Sequence, residues 1–111
     1  MSFKIESAFN DEAISEHGNY DENEYWFSLK DIPTKITITL SKSKQSGYDF
    51  KLSHYIKTPV QIGAYRPSNP WGDDKAYALH RAIQTIALDY NIAVKNGHKP
   101  SIEWLVLNPN R

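Results

Sequence analysis

Between Asp73 and Gly97 apolar residues recur at spacings of three and four: Ala76, Leu79, Ile83, Ile86, Tyr90 and Ala93, with His80, Ala87 and Val94 widening the stripe. This is the 3.6-residue period of an amphipathic helix. Asp73 or Asp74 supplies the N-cap, its side-chain oxygen accepting from the first orphan backbone N–H groups. Gly97 suits the left-handed C-cap, and Pro100 forbids continuation. At ~1.5 Å per residue, roughly 22 residues cover about 30 Å. A helix of that length with one apolar side needs an apolar surface of similar length beneath it.

The rest of the chain offers one. Ile36, Ile38 and Leu40 alternate with Thr37, Thr39 and Ser41, so one face is buried and the other wet. Tyr48, Phe50, Leu52, His54 and Ile56 alternate with Asp49, Lys51, Ser53, Tyr55 and Lys57, which predicts one unbroken strand. Tyr25–Leu29 is aromatic-rich and reads as another. The alternation from Phe3 to Phe9 predicts a first strand, and Ile102, Trp104 and Val106 a last one, buried on both sides.

Turns are expected at Asp31–Thr34, where proline removes a ladder donor, and at Lys42–Gly47. Asn10–Glu24 reads as an acidic loop with a helical turn over Asp11–Glu16 and a turn at Gly18-Asn19. From Thr58 to Asp74, Pro59, Gly63, Pro67, Pro70 and Gly72 prevent a long regular element and leave a short extended piece at Val60–Ala64. The predicted fold class is therefore α+β, with residues 1–111 forming one domain. A four- to five-stranded, mainly antiparallel sheet carries one long amphipathic helix on one face.

Bulk properties narrow the function classes. The chain has 111 residues, enough to form a core without disulfides or metals. It has no cysteine, which removes thiolate chemistry and suits a reducing compartment, so the expected location is the cytoplasm. The N-terminus alternates in polarity rather than presenting a charged segment and an apolar stretch. Apolar runs such as Trp104–Leu107 are too short for a bilayer span, so no membrane association is expected. Net charge is zero, with 13 basic and 13 acidic residues, unlike a strongly basic nucleic-acid binder. The charges are nevertheless segregated: Asn10–Leu29 holds six acids and no Lys or Arg, whereas Lys30–Lys57 holds six lysines.

No short motif with a known mechanism is present: no phosphate-cradling glycine loop, no paired-histidine helix, no nucleophile elbow and no calcium loop. Asp73 and Asp74 at the helix N-terminus would repel a phosphate. His54, on the apolar side of its strand, and His80, beside the helix stripe, would meet if helix packs on sheet. They are candidates for a general base or a two-histidine metal site, against the plainer reading of two satisfied boundary histidines. No third ligand or nucleophile is implied, so neither metal nor other cofactor is expected. Asp89 and Glu103 are carboxylates without a fixed distance. The lysine-rich strand face, with Thr37, Thr39 and Tyr55, offers a weak platform for nucleic acid, or simply a solvated surface.

The segment Gly63–Gly72 places Tyr65, Arg66 and Trp71 on a connection stiffened by Pro67 and Pro70. Tyr, Arg and Trp dominate interface hot spots, and a stiff loop loses less entropy on binding. The structural reading is a compact crossover whose Tyr65 and Trp71 close the sheet edge. The leading expectation is a small cytoplasmic protein-interaction module without chemistry of its own. It would bind a protein partner through Tyr65, Arg66 and Trp71. Inhibitor and immunity-type proteins of phages and mobile elements share this size and lack of motifs, an analogy of composition. The alternatives are an enzyme or small-molecule binder using His54 and His80, and a weak nucleic-acid binder. An exposed edge strand would also permit a homodimer by sheet extension.

Overall fold

The computed structural model describes residues 4–110. The fold is α+β: a five-stranded antiparallel sheet with one long helix packed on one face. The elements are α1 (Ile5–Ala8), β1 (Ile14–Asp21), β2 (Glu24–Leu29), β3 (Ile32–Lys42), β4 (Tyr48–Leu52), β5 (His54–Ile56), β6 (Trp71–Gly72), α2 (Lys75–Lys95) and β7 (Leu105–Leu107). A single 3-10 turn, Ile102–Trp104, precedes β7. The main sheet runs in the order β1-β2-β3-β4-β6, and β5 pairs with β7 in a separate two-stranded sheet.

The helix forms as its periodicity predicts. Asp74 is the N-cap, its carboxylate accepting from the Tyr77 N–H at 2.8 Å. Gly97 ends the helix at φ +87°, and the His98 N–H donates to the Ala93 carbonyl at 3.1 Å. Ala76, Leu79, Ile83, Ile86, Tyr90 and Ala93 are all buried. Leu79, Ile83, Ile86, Tyr90 and Ala93 join Phe27, Leu29, Ile36, Ile38, Leu40 and Phe50 from the sheet in one core cluster. Val94, read as part of the stripe, is instead exposed, because it lies on the flank turned from the sheet. No helix of the described residues is long and apolar enough to cross a membrane.

Several elements depart from the sequence reading, each for a local reason. Ile5–Ala8 is a helical turn rather than part of a strand; Phe3 lies outside the described residues. Ile5, Ala8 and Phe9 also fit a three-and-four spacing, and that period prevails as α1 packs on α2. The acidic stretch is not a loop. Ile14–Asp21 is an edge strand, and Gly18-Asn19 lies within it. The turn falls at Glu22-Asn23, where the Asp21 carboxylate accepts from the Asn23 N–H at 2.8 Å. Asp31 makes the next turn at φ 65°, and Pro33 sits inside β3 at a register shift, where no ladder donor is needed.

The expected strand through Ile56 breaks at Ser53. Its N–H still donates to the Thr37 carbonyl at 2.9 Å, while its hydroxyl accepts from the Thr37 N–H at 2.8 Å. This closes the ladder and frees β5 to pair with β7. The expected last strand is shorter and less buried than its composition implies: Ile102, Val106 and Leu107 are exposed. Val60–Ala64 is not extended. Gln61 gathers it into a turn, accepting from the Thr58 N–H at 2.8 Å and donating to the Ile56 carbonyl at 3.1 Å.

Candidate functional site

The connection from β5 to β6 crosses beside the solvent face of α2 and forms a groove of about 410 Å³ with it. Tyr65 and Pro67 line it from the loop, and Tyr77, Arg81, Leu88 and Asp89 from the helix. The loop is held from within. Gln61 donates a second bond to the Gly63 carbonyl at 3.3 Å, and the Tyr65 N–H reaches back to the Ile56 carbonyl at 3.3 Å. A loop fixed in this way presents its side chains without a large ordering cost on binding.

The three loop residues singled out from sequence do different things. Tyr65 is 48% exposed and faces the groove. Arg66 lies over the Tyr55 ring, its guanidinium carbon 5.2 Å from the centroid. Trp71 is an anchor: its backbone pairs with Asp49, and its indole N–H donates to the Ser46 carbonyl at 2.7 Å. Its own carbonyl accepts from Arg81 at 2.6 Å, which ties the sheet edge to the helix. The crossover therefore closes the sheet edge with Trp71 and leaves Tyr65 available.

His80 is half-buried and lines the groove, with its ring 6.2 Å from that of Tyr77. His54 does not line it; its Nδ1 is 2.7 Å from the Ser53 hydroxyl at the strand break. The two histidines thus border different features. Among the described residues no three His, Cys, Asp or Glu side chains are grouped to hold a metal ion.

Asp89 was visible only as an unplaced carboxylate. It stands half-buried in the groove, makes no hydrogen bond among the described residues, and burial pushes its carboxyl above the ordinary value. Glu103 is exposed on the 3-10 turn and does not line the groove. Asp11 has the opposite environment. Burial acts to raise it, but bonds from the Ala13 N–H at 2.9 Å, Gln84 at 3.0 Å and Asn91 at 3.3 Å, with His80 nearby, lower it overall. That cluster fastens the segment after α1 to the helix. Nothing in the local sequence signals it, since Asp11 and Gln84 are 73 positions apart.

The lysines do not gather into one patch. Lys30 is at the β2–β3 turn and Lys42 and Lys44 at the other end, leaving Lys35 and Lys51 on the open face of the sheet. Glu24 and Asp49 share that face, and Glu24 accepts weakly from Thr39 at 3.4 Å. Aromatic residues there are Trp26, opposite Thr37, and Trp71, opposite Asp49, whereas Tyr55 belongs to the smaller sheet. No family model matches the chain, and no curated protein or solved structure does so either.

Proposed function

We propose that this chain is a non-catalytic binding protein that docks a protein partner in the groove between the β5–β6 loop and α2. The observation that carries the reading is the character of that groove. Tyr65, Tyr77 and Leu88 expose apolar surface around it, Leu88 at 57%. The Asp89 carboxylate between them has lost part of its hydration and gained no hydrogen bond. An aliphatic surface carrying a Lys or Arg side chain satisfies both features: it covers the apolar rim and donates to Asp89. An inhibitor or immunity-type role is one instance of such binding. Trp71 and Arg66 support the loop from behind.

The test is affinity capture from host extract with the wild-type chain, Leu88→Asp, and Tyr65→Ala combined with Asp89→Asn. All three sites are partly or fully solvent-facing, so the thermal transitions should lie within a few degrees of one another. A partner held by wild type and lost from both variants supports the reading. A partner retained by both removes it, and capture of a second copy, seen as a dimer in sedimentation, reassigns the groove to self-association.

A further inference from the structure

The opposite side of the molecule holds a second recess, at the corner of the open sheet face. It has a volume of about 490 Å³ and is lined by Ser15, Glu16, Trp26, Ser28, Asp31 and Lys35, among others. Two irregularities in the ladder create it. On one side of β2, Ser15 is the extra residue between Ile14, opposite Leu29, and Glu16, opposite Ser28. On the other side Phe27 pairs with Ile36 and Leu29 with Ile32, so Pro33, Thr34 and Lys35 arch past Ser28. Bulges of this kind bend the strand and re-aim side chains, and they are over-represented beside active sites. Here two of them flank the same residue.

Ser28 is the second observation. It is 6% exposed, it lines the recess, and its hydroxyl has no hydrogen-bond partner among the described residues. The hydroxyl is not closed off: it opens on the recess, where water or a ligand oxygen can bond it. Trp26 supplies the aromatic part of the lining, beside Leu29, Ile32 and Pro33. Its ring lies across Gly18, where an added Cβ would sit 2.8 Å from the indole nitrogen. The Lys35 ammonium rests 4.3 Å from the ring centroid.

We propose that this recess binds a neutral, hydroxyl-rich ligand, a saccharide unit. Glu16 and Asp31 accept hydrogen bonds, Lys35 donates, and Ser15 and Ser28 do both. A sugar ring, whose hydroxyls also donate and accept, matches that mixture. The polarised C–H face of a sugar is drawn to the same π-surface that now attracts the Lys35 ammonium. Lys35 is an exposed, flexible side chain, free to move aside and donate to a ligand oxygen. Other ligand classes fit less well. Two carboxylates repel a phosphate, and an ammonium among them disfavours a metal ion.

The test is an NMR titration of the full chain with the methyl glycosides of glucose, galactose and mannose, with N-acetylglucosamine, and with chitotriose. The indole N–H signal of Trp26 is read against those of Trp71 and Trp104. For a sugar of about a dozen heavy atoms, half-saturation is expected on the order of millimolar. The expected result is a saturable shift of the Trp26 signal with at least one probe, weakened roughly tenfold by Ser28→Ala and by Glu16→Gln. Tyr65→Ala should leave it unchanged, so this site and the helix groove are judged separately. No saturable shift with any probe overturns the proposal. So does a shift that both variants leave intact, which marks adventitious binding, or a response to inorganic phosphate alone.

Discussion

The two faces of the central sheet are built from the same strands, yet they answer to different requirements. The face under α2 is made by Phe27, Leu29, Ile36, Ile38, Phe50 and Leu52, all buried. The open face carries Ser28, Lys35, Thr37, Thr39 and Lys51, polar groups set beside the aromatic Trp26. Burial makes the first face intolerant of volume change. Hydration makes the second tolerant, and so able to carry chemistry that packing does not need. The one point where this contrast weakens is Ser28, which is buried although it belongs to the open face.

The sharpest way to break the contrast is truncation on each side. Phe27→Ala and Ile83→Ala, both at positions of 0% exposure, should each destabilise the fold by about 3–5 kcal/mol. Thr39→Ala, on the open face, should stay within about 0.5 kcal/mol. Urea denaturation at pH 7 measures all three. A cost at Thr39 comparable to that at Phe27 would mean that something packs on the open face.

That contrast also explains what was legible in the sequence. Where one face is buried, the period is enforced, so Ile36–Leu40 and the stripe from Ala76 to Ala93 could be read directly. β1 lacks such a constraint: it lies at the sheet edge, largely exposed, and its residues show no alternation to read. The break at Ser53 was hidden because the apolar alternation continues across it. What ends the strand is a side-chain bond to Thr37, 16 positions away. The groove had one visible component, Tyr65 on its stiff loop. Its other wall, Tyr77, Leu88 and Asp89, lies off the apolar stripe of the helix, where the period carries no signal. The recess at Ser28 was invisible, since two register shifts create it and neither has a signature beyond Pro33.

Two glycines probe the same contrast at smaller magnitude. Gly72, on β6, lies under α2, and a Cβ there would be 2.5 Å from the Ala78 backbone nitrogen. Gly18, on β1, lies under the Trp26 ring of the open face. Backbone at a helix contact cannot yield without shifting α2, whereas an indole on a wet surface can rotate away. Gly72→Ala is therefore expected to cost about 1–3 kcal/mol, and Gly18→Ala less than half of that. Differential scanning calorimetry of the pair decides it. The Trp26 indole signal should move only in the Gly18 variant.

The smallest expected effect distinguishes the two flanks of the helix by pH. Asp11 titrates below its ordinary value of 3.8, so its hydrogen bonds to Ala13, Gln84 and Asn91 favour the folded state when the carboxyl is ionised. That contribution is fully present above pH 3.8 and is lost as pH falls through the lower folded value. Asp89 titrates above 3.8, because burial disfavours its charge. Its ionised form therefore opposes folding, and the penalty disappears as pH falls from above the raised folded value towards 3.8. Asp11→Asn should lower stability at pH 7, and Asp89→Asn should raise it. Both side chains keep contact with solvent, so each change is expected to stay under about 1 kcal/mol. The Asp89→Asn difference should close in the window above pH 3.8, while the Asp11→Asn difference persists into the window below it. Urea midpoints for the three chains at pH 7, 4.5 and 3 test the order. If the Asp11 difference closes first, the hydrogen bonds from Gln84 and Asn91 are not what holds the segment after α1 against the helix.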